Sequence, residues 1–160
     1  MWDMIWRAAV VGLGGTVAMD IWALIRARFF GGSAPNWGPV GRWFAYLPRG
    51  QFFHDDIAAS APTPHEAAIG WAAHYIIGIV YGFVVVAVAG RGWLAHPSFL
   101  PAWIVGIVTV GAGWFILQPG LGLGWAASKT ANPWAVRIQN LIAHSVFALG
   151  MYIAALGVSG

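Results

Sequence analysis

Apolar residues fill four long stretches of the chain, and polar residues concentrate between them. The stretches lie at about residues 4–28, 64–89, 99–118 and 133–157. Each is close to the about 20 residues that a helix needs to cross a hydrocarbon core of about 30 Å. The pattern predicts an all-α integral membrane four-helix bundle, forming one domain over residues 1–160.

Prolines and capping residues mark several helix ends. Thr63-Pro64-His65-Glu66 has the spacing of a capping box, with proline at the first helical position, and predicts that the second helix begins at Pro64. Asn132-Pro133 repeats this logic at the fourth helix. Because a residue before proline is biased away from helix, we expect the third helix to end at Gln118.

The first connection is the only long one, and it carries its own helical pattern. Apolar residues follow Pro39 at i, i+3, i+4 and i+7, namely Val40, Trp43, Phe44 and Leu47. This spacing predicts a short interfacial helix on the cytoplasmic surface, with Arg42 available to the lipid headgroups. The same connection later places His54, Asp55 and Asp56 near the interface. Connections of this length often serve as lids or binding segments.

Composition and charge agree with a membrane protein and indicate its orientation. The chain is 59% hydrophobic and 8% charged, whereas roughly a quarter of a soluble domain is charged. Six of the eight basic residues flank or lie in the first and third connections: Arg26, Arg28, Arg42, Arg49, Lys129 and Arg137. The positive-inside rule therefore predicts a multi-pass membrane protein whose first and third connections are cytoplasmic and whose two termini lie on the opposite side. Nothing in the sequence indicates a nucleic-acid surface.

Three ionisable residues, Asp20, His74 and His144, lie deep inside predicted helices. Charges are costly there, so such residues usually face a bundle interior or a functional pathway. At about 1.5 Å per residue, all three lie about 12–16 Å from the cytoplasmic helix ends. We therefore expect one buried polar centre, with Gln118 close to it.

Small residues recur at four-residue spacing on the same helix faces as these polar residues. The four predicted stripes are Ala8-Gly12-Thr16-Asp20, Gly70-His74-Gly78-Gly82, Ala102-Gly106-Thr109-Gly113 and Arg137-Asn140-His144-Ala148. Small residues let membrane helices approach closely, and polar ones add interhelical hydrogen bonds. The stripes predict tight packing, and they leave open whether the polar residues bind a ligand or hold the helices together.

Several cofactors fit the polar centre. His74 and His144 could ligate a haem, with Arg137 or Arg42 meeting its propionates. A transition metal could instead be held by His74, His144 and Asp20, with His54 as a further candidate ligand. A quinone or proton site using Asp20 and a histidine is the third alternative, and Gln118 completes the candidate cofactor-binding set.

Other classes of function are constrained by what the sequence lacks. The absence of cysteine excludes disulfides and thiolate ligands, and no Ser-His-Asp or His-Glu-x-x-His spacing indicates hydrolysis. The glycines of Gly120-Leu-Gly-Leu-Gly124 follow no strand, so they do not indicate a dinucleotide loop. Whether the protein is an enzyme therefore stays open. The alternative to a cofactor site is an accessory or assembly subunit of a respiratory or photosynthetic membrane complex, bound to the bilayer and to other membrane subunits.

A set of local motifs covers nearly the whole chain. They are Gly15-Thr16-x-x-Met19-Asp20, Asn36-Trp37-x-x-Val40-Gly41-Arg42-Trp43, Gly50-x-Phe52-x-His54, Gly70-Trp71-x-x-His74-Tyr75, Gln118-Pro119-Gly120-x-Gly122, and Asn132-Pro133 through Arg137 to His144. With these motifs the chain resembles the bacterial membrane proteins grouped as domain of unknown function 2938. The resemblance implies a four-helix protein of the inner membrane, and it implies no activity or catalytic residue.

Overall fold

All regular structure in the computed structural model is helical over the described residues, which are 2–159. The five helices are α1 (Trp2–Phe29), α2 (Gly38–Tyr46), α3 (Glu66–Ala89), α4 (Phe99–Gly120) and α5 (Pro133–Val158). Short 3-10 turns occupy Leu47–Arg49, Ile57–Ala59, Arg91–Leu94 and Trp125–Ala127. The all-α class is therefore confirmed for these residues. Met1 and Gly160, which the expected domain includes, lie outside them.

Helices α1, α3, α4 and α5 are each long and apolar enough to cross a membrane. Their most apolar 18-residue windows have mean hydropathies of 1.8–2.1. These are the four stretches expected from the sequence, with ends that differ by a few residues. Helix α2 corresponds to the expected short helix after Pro39, whereas its position at a membrane surface stays a prediction.

The start of α3 differs from the expected capping box. The helix begins at Glu66 rather than Pro64, because His65 adopts a left-handed φ of 59° that interrupts the helical path. Glu66 still caps the backbone, since its Oε2 accepts the Thr63 N–H at 3.0 Å. The reciprocal bond is absent from the described residues, where the buried Thr63 Oγ1 has no hydrogen-bond partner.

The end of α4 also differs from expectation, because the helix continues through Pro119 to Gly120. Gln118 is helical, with φ −61° and ψ −44°. A π-helical turn at Gly113–Leu117 lies immediately before it. Pro119 has no N–H for the carbonyl of Phe115, four residues earlier, and its ring would clash with that carbonyl in an α-helix. The wider π turn relieves this conflict and lets the chain remain helical.

The helices contribute to two compact units, and the first contains described residues 2–35, 75–109 and 141–159. Its buried core includes Val11, Val85 and Met151, each at 2% exposure or less. Close backbone approaches surround this core. A Cβ added at Gly12 would lie 2.7 Å from the Cα of Ile79, and one added at Gly106 would lie 3.0 Å from the Cβ of Ala148. The expected packing role of small residues is confirmed at these positions.

The second unit contains residues 36–74 and 110–140. Trp43, Ile57 and Leu121 form its buried apolar cluster. Within it α2 packs on the first turns of α3 at backbone distance, since a Cβ on Gly41 would lie 2.6 Å from the backbone nitrogen of Gly70. Gly113, which was expected on a packing stripe, is different: a Cβ there would meet no described atom within 4 Å.

Candidate functional site

Asp20 is held by a phenol within the first unit. The Tyr75 hydroxyl donates a hydrogen bond to Asp20 Oδ2 at 2.8 Å, which ties α1 to α3. A partly buried carboxylate oxygen thus gains a donor from the protein itself. The contact is of the interhelical kind that the helix-packing interpretation expects.

His144 is fixed by a backbone carbonyl, also within the first unit. Its Nδ1 lies 2.9 Å from the Gly106 oxygen, and because a carbonyl only accepts, Nδ1 carries the proton. Thr109 Oγ1 donates to the same carbonyl at 2.9 Å. This tautomer leaves the lone pair of a neutral His144 on Nε2.

His74 lies in an aromatic environment of the second unit. Its ring stacks on Trp37 with centroids 3.9 Å apart and an interplanar angle of 23°. Trp71 adds an edge contact at 5.9 Å. Trp37 directly precedes α2, so this stacking holds the start of α2 against α3.

The expected polar centre is not assembled into a metal-binding cluster. Among residues 2–159, no group of three His, Asp or Glu side chains is placed to hold a metal ion. Asp20, His74 and His144 each have a contact of their own in the unit to which they belong. Their function as a shared centre stays a prediction.

Gln118 and Arg137 take part in separate contacts of the second unit. Asn140 Oδ1 accepts from Gln118 Nε2 at 3.0 Å and from Trp114 Nε1 at 2.9 Å. Arg137 Nε donates to the carbonyl of Ala126 at 2.7 Å. Ala126 has a left-handed φ of 47°, so Arg137 supports a strained turn of the third connection.

Arg42 organises the first connection, a role that the sequence did not reveal. Its Nε and Nη2 pair with the two carboxylate oxygens of Glu66, each at 2.8 Å. Its Nη1 donates to the carbonyls of Ile57 at 3.0 Å and Ser60 at 2.9 Å. Hydrogen bonding to Glu66 raises the pKa of Arg42. The side chain is only 12% exposed, so the expectation that it faces lipid headgroups is wrong.

The first and third connections are joined by backbone hydrogen bonds. Both the backbone N–H and the ring Nδ1–H of His54 donate to the Gly120 carbonyl, each at 3.1 Å. The Ile57 N–H donates to the Leu121 carbonyl, also at 3.1 Å. Gly122, at φ 86°, allows this approach, because a Cβ there would lie 2.9 Å from the His54 carbonyl oxygen and closer still to that of Asp55.

A cleft of about 630 Å³ opens where these two connections meet, and we call it the connection cleft. Its lining includes Phe53, Pro119 and Trp125 together with six polar side chains: Gln51, His54, Asp55, Asp56, Ser60 and Lys129. Asp55, Asp56 and Lys129 are exposed, which places both signs of charge at one opening.

His54 is the buried polar residue of the connection cleft, at 8% exposure. Its Nδ1 proton is used by Gly120, and its buried Nε2 has no hydrogen-bond partner among the described residues. A neutral imidazole therefore carries an acceptor without a donor here. Burying such a group costs free energy unless something donates to it. Because Nε2 itself is closed to solvent, His54 lines the cleft through its other atoms.

Sequence reasoning found part of this cleft. His54, Asp55 and Asp56 stood out by their position near the interface, but Lys129 was noticed only for its charge. The other sequence signal of the cleft was the pair of glycines at Gly120 and Gly122. Both lie in close contact with the first connection, which explains why they are glycines.

Comparison with protein families gives a match over most of the chain. The family model DUF2938, described as a protein of unknown function, matches residues 9–158. Comparisons with curated proteins and with solved structures gave no match. The chain therefore belongs to the DUF2938 family.

Proposed function

We propose that this chain is a multi-pass protein of the bacterial inner membrane that binds a small polar ligand in the connection cleft. The observation that carries the proposal is the chemistry of the cleft: two carboxylates and one ammonium group at its opening, with the buried His54 in its lining. The four apolar helices anchor this site in the bilayer.

Charge distribution supports an orientation with both termini in the periplasm. Six of the eight basic residues lie in or beside the first and third connections. Cytoplasmic loops carry an excess of Lys and Arg, so these two connections are proposed to be cytoplasmic. The connection cleft would then open to the cytoplasm. Protease accessibility of tagged termini tests the orientation, and termini protected from periplasmic protease would overturn it.

Hydrogen bonds that hold the two connections in place support binding rather than an unstructured connection. Arg42 ties Glu66 to the carbonyls of Ile57 and Ser60, and Gly120 accepts two bonds from His54. A preformed site loses little conformational entropy when a ligand enters, so more of the contact energy becomes affinity.

A pair of neighbouring alanines provides the test. Ala59 lines the cleft, whereas Ala58 belongs to the same exposed turn and is not part of the lining. Native mass spectrometry of the protein purified from bacterial membranes in mild detergent would detect small bound species. We expect Ala59→Trp to lose them and Ala58→Trp to retain them. Equal occupancy in both variants, or no bound species in the wild type, would refute the proposal.

An intramembrane cofactor is the second candidate function, favoured by the tautomer of His144. A histidine that donates Nδ1–H to a carbonyl and keeps a lone pair on Nε2 has the arrangement common among metal-ligating histidines. Visible absorption and metal analysis test the haem and metal alternatives, with His74→Ala and His144→Ala as variants. A colourless, metal-free wild type would exclude both and leave quinone. Loss of folding in both variants without any bound species would indicate that the residues hold the helices together.

The accessory-subunit role is the alternative to ligand binding. Native gels in mild detergent address it, because a chain that migrates only as a small monomer would contradict a stable larger complex.

A further inference from the structure

We infer that the ligand of the connection cleft is a zwitterion carrying a phosphate and a primary ammonium group, the chemistry of a phosphoethanolamine headgroup. This inference rests on the proposed binding function and names the ligand class for the same site. It assigns the phosphate to Lys129 and the ammonium group to the acidic side of the cleft.

The charges of the lining match both ends of such a ligand. Lys129 offers a compact cation of the kind that binds phosphate in proteins. Asp55 and Asp56 offer carboxylates for an ammonium group. Asp56 Oδ1 already accepts the Ala58 N–H at 2.8 Å, which fixes that side chain and leaves its second oxygen for a further donor.

The carboxylates of the cleft narrow the cationic group to one with N–H donors. Carboxylate oxygens accept hydrogen bonds and do not donate them. A primary ammonium group has three N–H donors for such acceptors. A quaternary choline group has none and offers the carboxylates charge attraction alone.

The position of the cleft favours a headgroup that belongs to a lipid. Pro119 is the penultimate residue of α4, a membrane-crossing candidate, and it lines the cleft. Lys129 precedes α5 by four residues. Phe53 and Trp125, at 70% and 65% exposure, add apolar rings to the lining, as expected where a protein meets the interfacial layer. We therefore expect the cleft to lie at the level of lipid headgroups, with acyl chains remaining in the bilayer.

Anionic lipids lack the group that the acidic side recognises. A phosphatidylglycerol headgroup would bring its phosphate to Lys129 but would place only uncharged hydroxyls beside Asp55 and Asp56. We therefore expect phosphatidylethanolamine to bind in preference to both phosphatidylglycerol and phosphatidylcholine.

Lipid competition measured by native mass spectrometry tests the inference. The detergent-purified protein is mixed with equal amounts of the three lipids, and soluble O-phosphoethanolamine is added in a separate arm. A charge-assisted hydrogen bond contributes about 1.5–3 kcal/mol, so we expect phosphatidylethanolamine to be preferred over phosphatidylcholine by about tenfold or more. Displacement by the soluble compound would show that the headgroup alone suffices, and its failure to displace would assign binding to the whole lipid.

Charge variants locate the binding. Lys129→Gln and Asp55→Asn should each reduce the preference for phosphatidylethanolamine at least severalfold, whereas Arg49→Gln, outside the lining, should leave it unchanged. If Ala59→Trp abolishes a bound species that shows no preference for phosphatidylethanolamine, the headgroup inference is wrong and the binding function stands. If phosphatidylethanolamine binds equally to wild type and Ala59→Trp, both are wrong.

Discussion

Replacing Gly12 with alanine should separate α1 from α3 and destabilise the protein. The added Cβ would collide with the Gly78 carbonyl oxygen and would lie 2.7 Å from the Cα of Ile79. Ordinary carbon–carbon contact begins at about 3.5 Å, so the contact with Ile79 alone requires a separation of about 0.8 Å, and the closer Gly78 oxygen requires more. The obstructing atoms belong to the backbone, so no side-chain rotation can remove the conflict.

The size of the effect follows from two opposing contributions. Overpacking costs about 1–3 kcal/mol, and a rigid backbone contact places Gly12 in the upper part of that range. Alanine is favoured over glycine in a helix by about 1 kcal/mol, which offsets part of the cost. We expect a net loss of about 1–2 kcal/mol in the free energy of unfolding.

Gly113→Ala provides a matched control for this substitution. Gly113 also lies in a helix, but a Cβ there meets no described atom within 4 Å, so only the propensity gain remains. The difference in stability between the two variants therefore isolates the packing cost, at about 2–3 kcal/mol. The 11 tryptophans allow unfolding to be followed by fluorescence during titration of mixed micelles with SDS. Equal stability of the two variants would refute the close approach of α1 and α3.

The remaining predictions concern polar contacts in each unit. Arg42→Lys should remove two carbonyl hydrogen bonds of about 1 kcal/mol each. Amide hydrogen exchange in residues 57–60 should therefore accelerate by roughly 30-fold. Unchanged exchange would contradict the role of Arg42. A double-mutant cycle of Tyr75→Phe with Asp20→Ala should give a coupling of about 1–3 kcal/mol, because the phenol donates to the carboxylate; additive effects would argue against that bond. Gly122→Ala should destabilise the connections, because Gly122 combines a left-handed φ with backbone contact to Asp55, while Gly92→Ala, which has open space, should not.

The features that sequence predicts best depend on local spacing. Four apolar stretches identified the long helices, and the i, i+3, i+4 pattern identified α2. Both signals depend only on residues that are close together in the sequence. The packing role of Gly12 followed from its four-residue spacing with Ala8 and Thr16. Helix ends were less predictable: the left-handed His65 delays α3, and a π turn carries α4 past Pro119.

Contacts between distant segments could not be predicted from the sequence. Arg42 and Glu66 are 24 residues apart, and no local pattern pairs them. His54 and Gly120 are 66 residues apart, so the cleft exists only once the two connections meet. An arginine in an amphipathic helix has a plausible partner in lipid, and only the fold shows that its guanidinium is used inside the protein.

The placement of polar groups explains why the connections are the better place to search for a ligand. A polar group in hydrocarbon has no water to bond with, so a stable fold must supply a partner. Asp20 and His144, which lie on helices apolar enough to cross a membrane, have theirs in Tyr75 and Gly106. Such residues stand out in sequence whether their role is structural or functional. Exposed charges at an interface are unremarkable in sequence, because water satisfies them. Lys129 and Asp55 become informative only when the fold places them in one cleft with the buried His54. Water-exposed charges can exchange their hydration for a ligand without first breaking the packing of the helices.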